Sequence, residues 1–260
     1  MMKLGVCTGF ENLQAAADAG FDYVECALNA LAALSEAQFR ALAERRADFP
    51  VPVAKCNCFL PGEIKAVGPE ADARALDEYL ERALSRAHAL GIELAVFGSG
   101  GARGVPEGFS YAEAWRQIAS FLRRAAVYGR KYGIAIAIEP LRREECNILN
   151  YVSEAVLLSA LLDLPEIGAL GDTFHMRSGA EPWPALTQAG ERLLHVHVSH
   201  ELSDLSGRVF PSEGDGTDYE GIFAALRAGG YAGDVSVEAG TTDFAADAAR
   251  AVRCLRPFAR

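Results

Sequence analysis

The sequence predicts an α/β protein, a single (β/α)8 TIM barrel domain that spans residues 1–260. The length of 260 residues matches the roughly 250 residues typical of such barrels. Short runs of small and branched apolar residues alternate eight times with longer stretches of helical periodicity, which is typical of parallel strands with crossover helices. No linker, low-complexity tract or change of composition marks a boundary, so one barrel is favoured over two domains.

Each predicted strand is a short run rich in small and branched apolar residues. In chain order the strands are KLGVCT (3–8), FDYVEC (21–26), VPVAKCN (51–57), IELAVFG (92–98), IAIAIEP (134–140), IGALGDT (167–173), LHVHVS (194–199) and DVSVEA (234–239). The helices between them include ARALDEYLERALSRAHAL (73–90) and YAEAWRQIASFLRRAAVYGRKY (111–132). Gly20, Gly91 and Gly133 stand directly ahead of strands, so we expect them to end helices in the left-handed conformation.

Alternation along the fifth strand predicts which residue points into the barrel. Side chains of a strand alternate between two faces, so Ile134, Ile136 and Ile138 share one face and should meet the helices. The opposite face ends with Glu139 at the carboxyl end of the strand. Barrel enzymes assemble their active sites at that end.

Four neighbouring strands, the fifth to the eighth, end in residues that can bind a hard divalent cation: Glu139, Asp172, His197 and Glu238. A single acid at a strand end is commonly a helix cap or a loop residue, but four in succession favour a shared site. Three carboxylates in a water-poor barrel mouth would force a proton onto one of them unless a cation neutralises them. Three oxygen donors and one nitrogen suit Mn, Mg or Co better than structural zinc, and Zn stays an alternative.

Other strand-end residues have weaker patterns. Glu25 and Lys55 could touch a substrate, although pairing with neighbours is the preferred interpretation. His195 lies one layer below His197 and is expected to be a hydrogen-bonded core residue. The GSGGARG segment departs from GxGxxG at Arg103, yet it could bring this arginine close to an oxygen-rich ligand.

Composition excludes several classes of protein. The formal net charge of −10 disfavours nucleic acid as a partner, and no apolar run approaches the ~18 residues that a membrane span needs. Six cysteines form no CxxC pair and no stretch resembles a signal peptide, so a reducing, cytoplasmic location is expected. Barrels of this size often pair, which makes a homodimer or homotetramer compatible with the sequence.

Four segments carry a resemblance to a known family. EPLRREECNILN at 139–150 resembles the EPLNRxExxxLN of ketose 3-epimerases related to tagatose and psicose 3-epimerase, and GDTFHM at 171–176 is similar to their DTxHM. HVHVS is similar to their HxHxxE, and VSVEA to their strand-eight acid. These enzymes belong to the xylose isomerase-like barrel superfamily.

The resemblance implies a divalent-metal-dependent sugar isomerase or epimerase that deprotonates the carbon next to a ketose carbonyl through a metal-bound enediolate. It makes the four strand-end residues metal ligands, and among them Glu139 and Glu238 the acid and base. It also implies that Glu145 and His175 hold the hydroxyl and carbonyl oxygens of the substrate. Ser203 stands where the family carries a substrate-binding arginine, and Arg208 in the same loop is the candidate replacement.

Alternative functions share the same scaffold. A lyase of the inosose dehydratase kind or a hydroxypyruvate isomerase would use the same metal, so the substrate is a carbohydrate or a related polyol or keto compound. A DNA-repair endonuclease would need a histidine-rich three-zinc cluster, which five histidines and a net charge of −10 disfavour. A non-catalytic sugar-binding barrel is the alternative outside enzymology.

Overall fold

The computed structural model describes all 260 residues and contains a closed barrel of eight parallel strands, which confirms the predicted fold class. The barrel strands are β1 (Leu4–Cys7), β2 (Tyr23–Ala27), β3 (Val53–Asn57), β4 (Leu94–Phe97), β5 (Ala135–Ile138), β6 (Ile167–Asp172), β7 (Leu193–Val198) and β10 (Val235–Val237). Two short strands, β8 (His200–Glu201) and β9 (Arg208–Val209), form an antiparallel hairpin outside the barrel. Around the barrel, β10 pairs with β1 and β7 and closes the sheet.

Eleven helices connect the strands. They are α1 (Leu13–Ala19), α2 (Leu28–Ala33), α3 (Glu36–Glu44), α4 (Ala73–Leu90), α5 (Gly100–Arg103), α6 (Tyr111–Tyr132), α7 (Val152–Leu162), α8 (Thr173–Ser178), α9 (Pro184–Ala189), α10 (Tyr219–Ala228) and α11 (Phe244–Leu255). Three short 3-10 helices lie at Phe10–Asn12, Arg46–Asp48 and Gly190–Arg192. None of the helices combines the length and the apolarity that crossing a membrane would require.

Capping explains why the two longest helices end where the sequence predicted. The Asp72 carboxylate accepts from backbone N–H groups at the start of α4, and the Ser110 hydroxyl does so for α6. At the other ends Gly91 and Gly133 adopt φ of 82° and 67°, which a residue with a Cβ atom rarely adopts. Gly20 ends α1 in the same way, so the three predicted glycine caps are confirmed.

The core divides into two layers, as the alternation in β5 predicted. Ile134, Ile136 and Ile138 belong to the large apolar core between the strands and the surrounding helices. Ala137 belongs to a separate small cluster with Leu94, Val96 and Leu170, which fills part of the barrel interior. The side chain after β5, Glu139, continues the inward-facing row and is buried at the carboxyl end of the barrel.

Candidate metal centre

The structure brings the four predicted ligands together at the carboxyl end of the barrel. Potential ligand atoms of Glu139, Asp172, His197 and Glu238 all lie within 4.8 Å of one another. Asp172 and His197 face each other across the β6–β7 pairing, and β10 lies on the other side of β7. Neighbouring strands in register therefore place these side chains at one level of the barrel.

One imidazole nitrogen faces three carboxylates at this point. His197 Nδ1 lies 3.2 Å from Glu139 Oε1, 3.6 Å from Asp172 Oδ2 and 2.7 Å from Glu238 Oε2. A single N–H can donate to only one of these three carboxylate acceptors at a time. A convergent set of three carboxylate oxygens and one nitrogen lone pair fits a divalent cation.

Mutual repulsion and burial shift the ionisation of the cluster. Burial and the negative charge of Glu238 raise the pKa of Glu139, which is the direction expected for crowded carboxylates. Burial would also raise the pKa of Glu238, but the positive charges of His197 and Arg208 outweigh it and lower this pKa. Burial disfavours the charged form of His197, yet Glu238 and Glu25 raise its pKa well above 6.5.

Asp172 has two roles, because its two oxygens point to different partners. Its Oδ1 accepts hydrogen bonds from the backbone N–H groups of Phe174 at 2.8 Å and His175 at 3.1 Å, which caps α8. Its Oδ2 faces His197 and the guanidinium of Arg208. Helix capping and metal ligation are therefore compatible functions of one carboxylate, although the sequence made them look like alternatives.

Arg208 reaches the cluster from the β8–β9 hairpin. Its Nη1 lies 2.5 Å from Asp172 Oδ2 and its Nη2 lies 3.0 Å from Glu238 Oε2. Its guanidinium also lies over the Phe174 ring, 5.2 Å from the centroid. The side chain is thus held in the barrel mouth, where the sequence comparison expected a replacement for the missing arginine.

His175 and Glu145 differ in their placement. His175 is buried, and its Nδ1 accepts a hydrogen bond from the Arg142 backbone N–H at 3.3 Å. Glu145 has 41% of its side chain exposed and pairs with Arg142 Nε at 2.7 Å. The structure therefore does not bring Glu145 into the cluster. His175, in contrast, lies in the first turn of α8, the helix that Asp172 caps.

Arg103 lies in a different place from the one expected. It is fully buried, and its terminal nitrogens donate to the backbone carbonyls of Phe97, Glu139 and Leu149. These contacts tie the ends of β4 and β5 to the loop that follows β5. The expectation that Arg103 lies close to an oxygen-rich ligand is therefore wrong. Its guanidinium binds the backbone carbonyl of Glu139 and is not available to a substrate.

Glu25 is the residue at this site that the sequence undervalued. It is fully buried, and its Oε1 lies 3.0 Å from His197 Nε2, on the ring side opposite the cluster. His195 contacts the other oxygen of Glu25 at 2.8 Å and the Asp234 carbonyl at 3.1 Å, which confirms it as a hydrogen-bonded core residue. Lys55 pairs with Asp234 at 2.9 Å, as the preferred interpretation expected. The feature of the sequence that pointed to Glu25 was its position near the carboxyl end of the predicted second strand.

A cavity of about 570 Å³ opens beside the cluster, over the ends of β1, β2, β3 and β10. Its polar lining includes Thr8, Glu11, Asn57, Arg208 and Glu238, with Phe10 on its apolar side. Asn57 Nδ2 donates to Glu238 Oε1 at 2.9 Å, so one wall of the cavity is a candidate ligand. Periodicity in the sequence did not indicate Thr8, Phe10 or Glu11, because Thr8 follows β1 directly and the 3-10 helix that contains Phe10 and Glu11 is only three residues long.

Comparisons with known proteins agree with this architecture. A family model described as xylose isomerase-like TIM barrel matches residues 13–258. An L-ribulose 3-epimerase of Mesorhizobium japonicum is 28% identical over 224 residues, which cover 85% of this chain and 72% of that protein. A probable ketose 3-epimerase of Synechocystis is 26% identical, and the match covers 84% of this chain and 74% of that protein.

Solved structures show the same fold. D-psicose 3-epimerase of Clostridium cellulolyticum, determined with D-tagatose, superposes with a TM-score of 0.86 at 21% identity and covers 100% of both chains. The IolI protein, determined with a bound zinc atom, superposes with a TM-score of 0.74 at 19% identity. The match covers 99% of this chain and 96% of the IolI chain. At these identities the likeness supports the fold alone.

Gly98 offers a direct test of how closely the cluster is packed. A Cβ atom at this position would lie 2.2 Å from Glu139 Oε2, so Gly98→Ala must displace the carboxylate. We expect about a tenfold loss of Mn²⁺ affinity by titration calorimetry, with an unchanged circular dichroism spectrum. Gly101→Ala is the matched control, because its Cβ would meet nothing closer than 3.8 Å. Equal affinities of the two variants would contradict the packing argument.

Arg103 can be tested through stability. Arg103→Met removes three buried hydrogen bonds and leaves the Glu139 carbonyl without a donor, whereas the Phe97 and Leu149 carbonyls keep backbone donors, so we expect the free energy of unfolding to fall by roughly 3 kcal/mol. The exposed neighbour Arg143→Met should change it by less than about 0.5 kcal/mol. Urea titrations followed by circular dichroism measure both values, and a small loss for Arg103→Met would argue against its supporting role.

Proposed function

The chain belongs to the xylose isomerase-like TIM barrel family, and from this premise we propose that it is a divalent-metal-dependent ketose 3-epimerase. The convergence of Glu139, Asp172, His197 and Glu238 within 4.8 Å is the observation that carries the proposal. The epimerase names of its relatives support the reaction class.

The residues present suit a bound cation. Glu139, Asp172 and Glu238 would each supply an oxygen, and His197 would supply Nδ1. Mn, Mg and Co match this donor set best, with Zn as the alternative. When bound, the cation would supply Lewis acidity that stabilises negative charge developing on a substrate oxygen.

Glu139 and Glu238 are the proposed acid and base. They reach the cluster from β5 and β10, with β6 and β7 between them in the barrel. A carboxylate on one face of the sugar takes the proton from carbon 3, and its counterpart returns a proton to the other face. Removal and return on opposite faces invert that stereocentre, and either epimer can be the starting material.

His175 and Arg208 are proposed to hold the substrate. Because the Arg142 backbone N–H donates to His175 Nδ1, the proton of the neutral ring is on Nε2. Nε2 can therefore donate to a carbonyl or hydroxyl oxygen. Arg208 lies between the cluster and the cavity, where its guanidinium can donate to further hydroxyl groups.

The charges around the cavity favour an unphosphorylated ketose. Glu11, Glu25 and Glu238 contribute negative charge, and Arg208, the one basic residue in the lining, already pairs with Asp172 and Glu238. A phosphate group would approach these acids without a free basic partner. A neutral sugar needs no basic partner on this side of the cavity, so it fits this electrostatic environment better than a phosphorylated one.

Hydrogen exchange tests the two-carboxylate mechanism. Glu139→Gln and Glu238→Gln should each reduce incorporation of deuterium from heavy water into ketose substrates by at least about 100-fold. Products of a ketose panel incubated with Mn²⁺ are measured by NMR and mass spectrometry. The exposed Glu144→Gln is the control and should retain wild-type exchange. Normal exchange in both site variants would exclude the mechanism, and loss of water from the substrate would indicate a lyase.

Metal affinity should depend on pH in a defined direction. The raised pKa values of His197 and Glu139 mean that the folded protein keeps protons there that a cation must displace. A larger fraction of the molecules carries these protons as pH falls, so Mn²⁺ affinity should increase as pH rises above 6.5, with proton release. Calorimetric titrations at pH values of about 6.5, 7.5 and 8.5, in buffers of different ionisation enthalpy, measure both effects. A pH-independent affinity would contradict this ligand set.

A further inference from the structure

We propose that Glu25 is a positioning residue, which fixes the tautomer and the orientation of His197 so that Nδ1 is directed at the cation site. This inference rests on the proposed function, because it concerns how the protein prepares one of the four ligands. Glu25 belongs to β2, on the far side of β1 and β10 from β7.

The contact between Glu25 and His197 determines which ring nitrogen carries the proton. Glu25 Oε1 lies 3.0 Å from His197 Nε2, and both side chains are fully buried. An ionised carboxylate only accepts hydrogen bonds, so the imidazole must carry its hydrogen on Nε2. In the neutral ring the lone pair is then on Nδ1, the nitrogen that faces Glu139, Asp172 and Glu238.

Glu25 is itself held in place from the other side. Its Oε2 accepts from Ser236 Oγ at 2.6 Å and contacts His195 Nε2 at 2.8 Å. Ser236 Oγ also lies 2.8 Å from Tyr23 Oη. Side chains from two strands, β7 and β10, therefore fix both carboxylate oxygens, and the carboxylate has little freedom to turn away from His197.

The cost of this arrangement argues for a role beyond packing. A carboxylate without solvent contact carries a large desolvation penalty, and well-packed apolar residues commonly replace such groups without loss of stability. The donors from Ser236, His195 and His197 offset that penalty. Of these three, His197 is the one that also lines the cation site, so the network ends at a candidate ligand.

The experiment measures Mn²⁺ binding by titration calorimetry, without any substrate. Glu25→Gln can place an amide N–H where the carboxylate accepted, which removes the preference for the Nε2–H tautomer. We expect about 10- to 100-fold weaker Mn²⁺ binding. Glu93→Gln is the matched control, because Glu93 is exposed and its only ion pair is with Lys55. Its affinity should equal that of the wild type.

A second readout separates positioning from general destabilisation. In zinc-loaded protein labelled with ¹⁵N-histidine, NMR should show the Nε2–H tautomer of His197 in the wild type and a loss of that signature in Glu25→Gln. If Glu25→Gln does not fold, Glu25→Asp keeps the charge but shortens the reach to Nε2, and the same weakening is expected. Thermal melts identify which variants are folded.

The outcomes distinguish this inference from the proposed function. If the wild type binds Mn²⁺ and the folded Glu25 variants bind it equally well with an unchanged His197 tautomer, the positioning role is wrong and the proposed function stands. If the wild type binds no divalent cation, both are wrong. Weaker binding together with a changed tautomer supports the inference.

Discussion

The repulsion among three crowded carboxylates at one end of the barrel is the constraint on which the rest of the site depends. Glu139, Asp172 and Glu238 come from three strands and face a single nitrogen of His197. Left uncompensated, such charges would protonate or spread apart, and the raised pKa of Glu139 shows that tendency. A divalent cation would relieve the repulsion without moving the strands, so the charges that strain the site would also attract such a cation.

Surrounding residues stabilise this concentration of charge without filling its centre. Backbone N–H groups of α8 satisfy one oxygen of Asp172, and Asn57 satisfies one oxygen of Glu238. Arg103 holds the carbonyl of Glu139, while Glu25 holds the outer nitrogen of His197. Each ligand is thus anchored on its outer side, which leaves its inner atom directed at one point. Pre-organisation of this kind lowers the entropy lost on binding a cation or a substrate.

The sequence predicted what depends on periodicity and could not predict what depends on long-range contacts. Period-two alternation placed Glu139 inward, and helical spacing with glycine caps gave the bounds of α4 and α6. Arg103 was misjudged because its carbonyl partners at Glu139 and Leu149 are 36 and 46 residues away. The roles of Glu25 in a buried network and of Asp172 as both cap and candidate ligand likewise required spatial information.

The β8–β9 hairpin shows why a residue can be absent from a sequence pattern yet present at the site. Ser203 occupies the position at which the family pattern has an arginine, so alignment suggests a lost contact. Antiparallel pairing of Glu201 with Arg208 folds the chain back, and the guanidinium of Arg208 reaches Asp172 and Glu238. A bound molecule interacts with a charge according to where the charge lies in space and not according to its place in the chain. The hairpin can therefore supply, through Arg208, the positive charge that is missing at Ser203. Since Arg208 also lines the cavity, a change in the length or sequence of this hairpin would change the shape and charge of that side of the cavity.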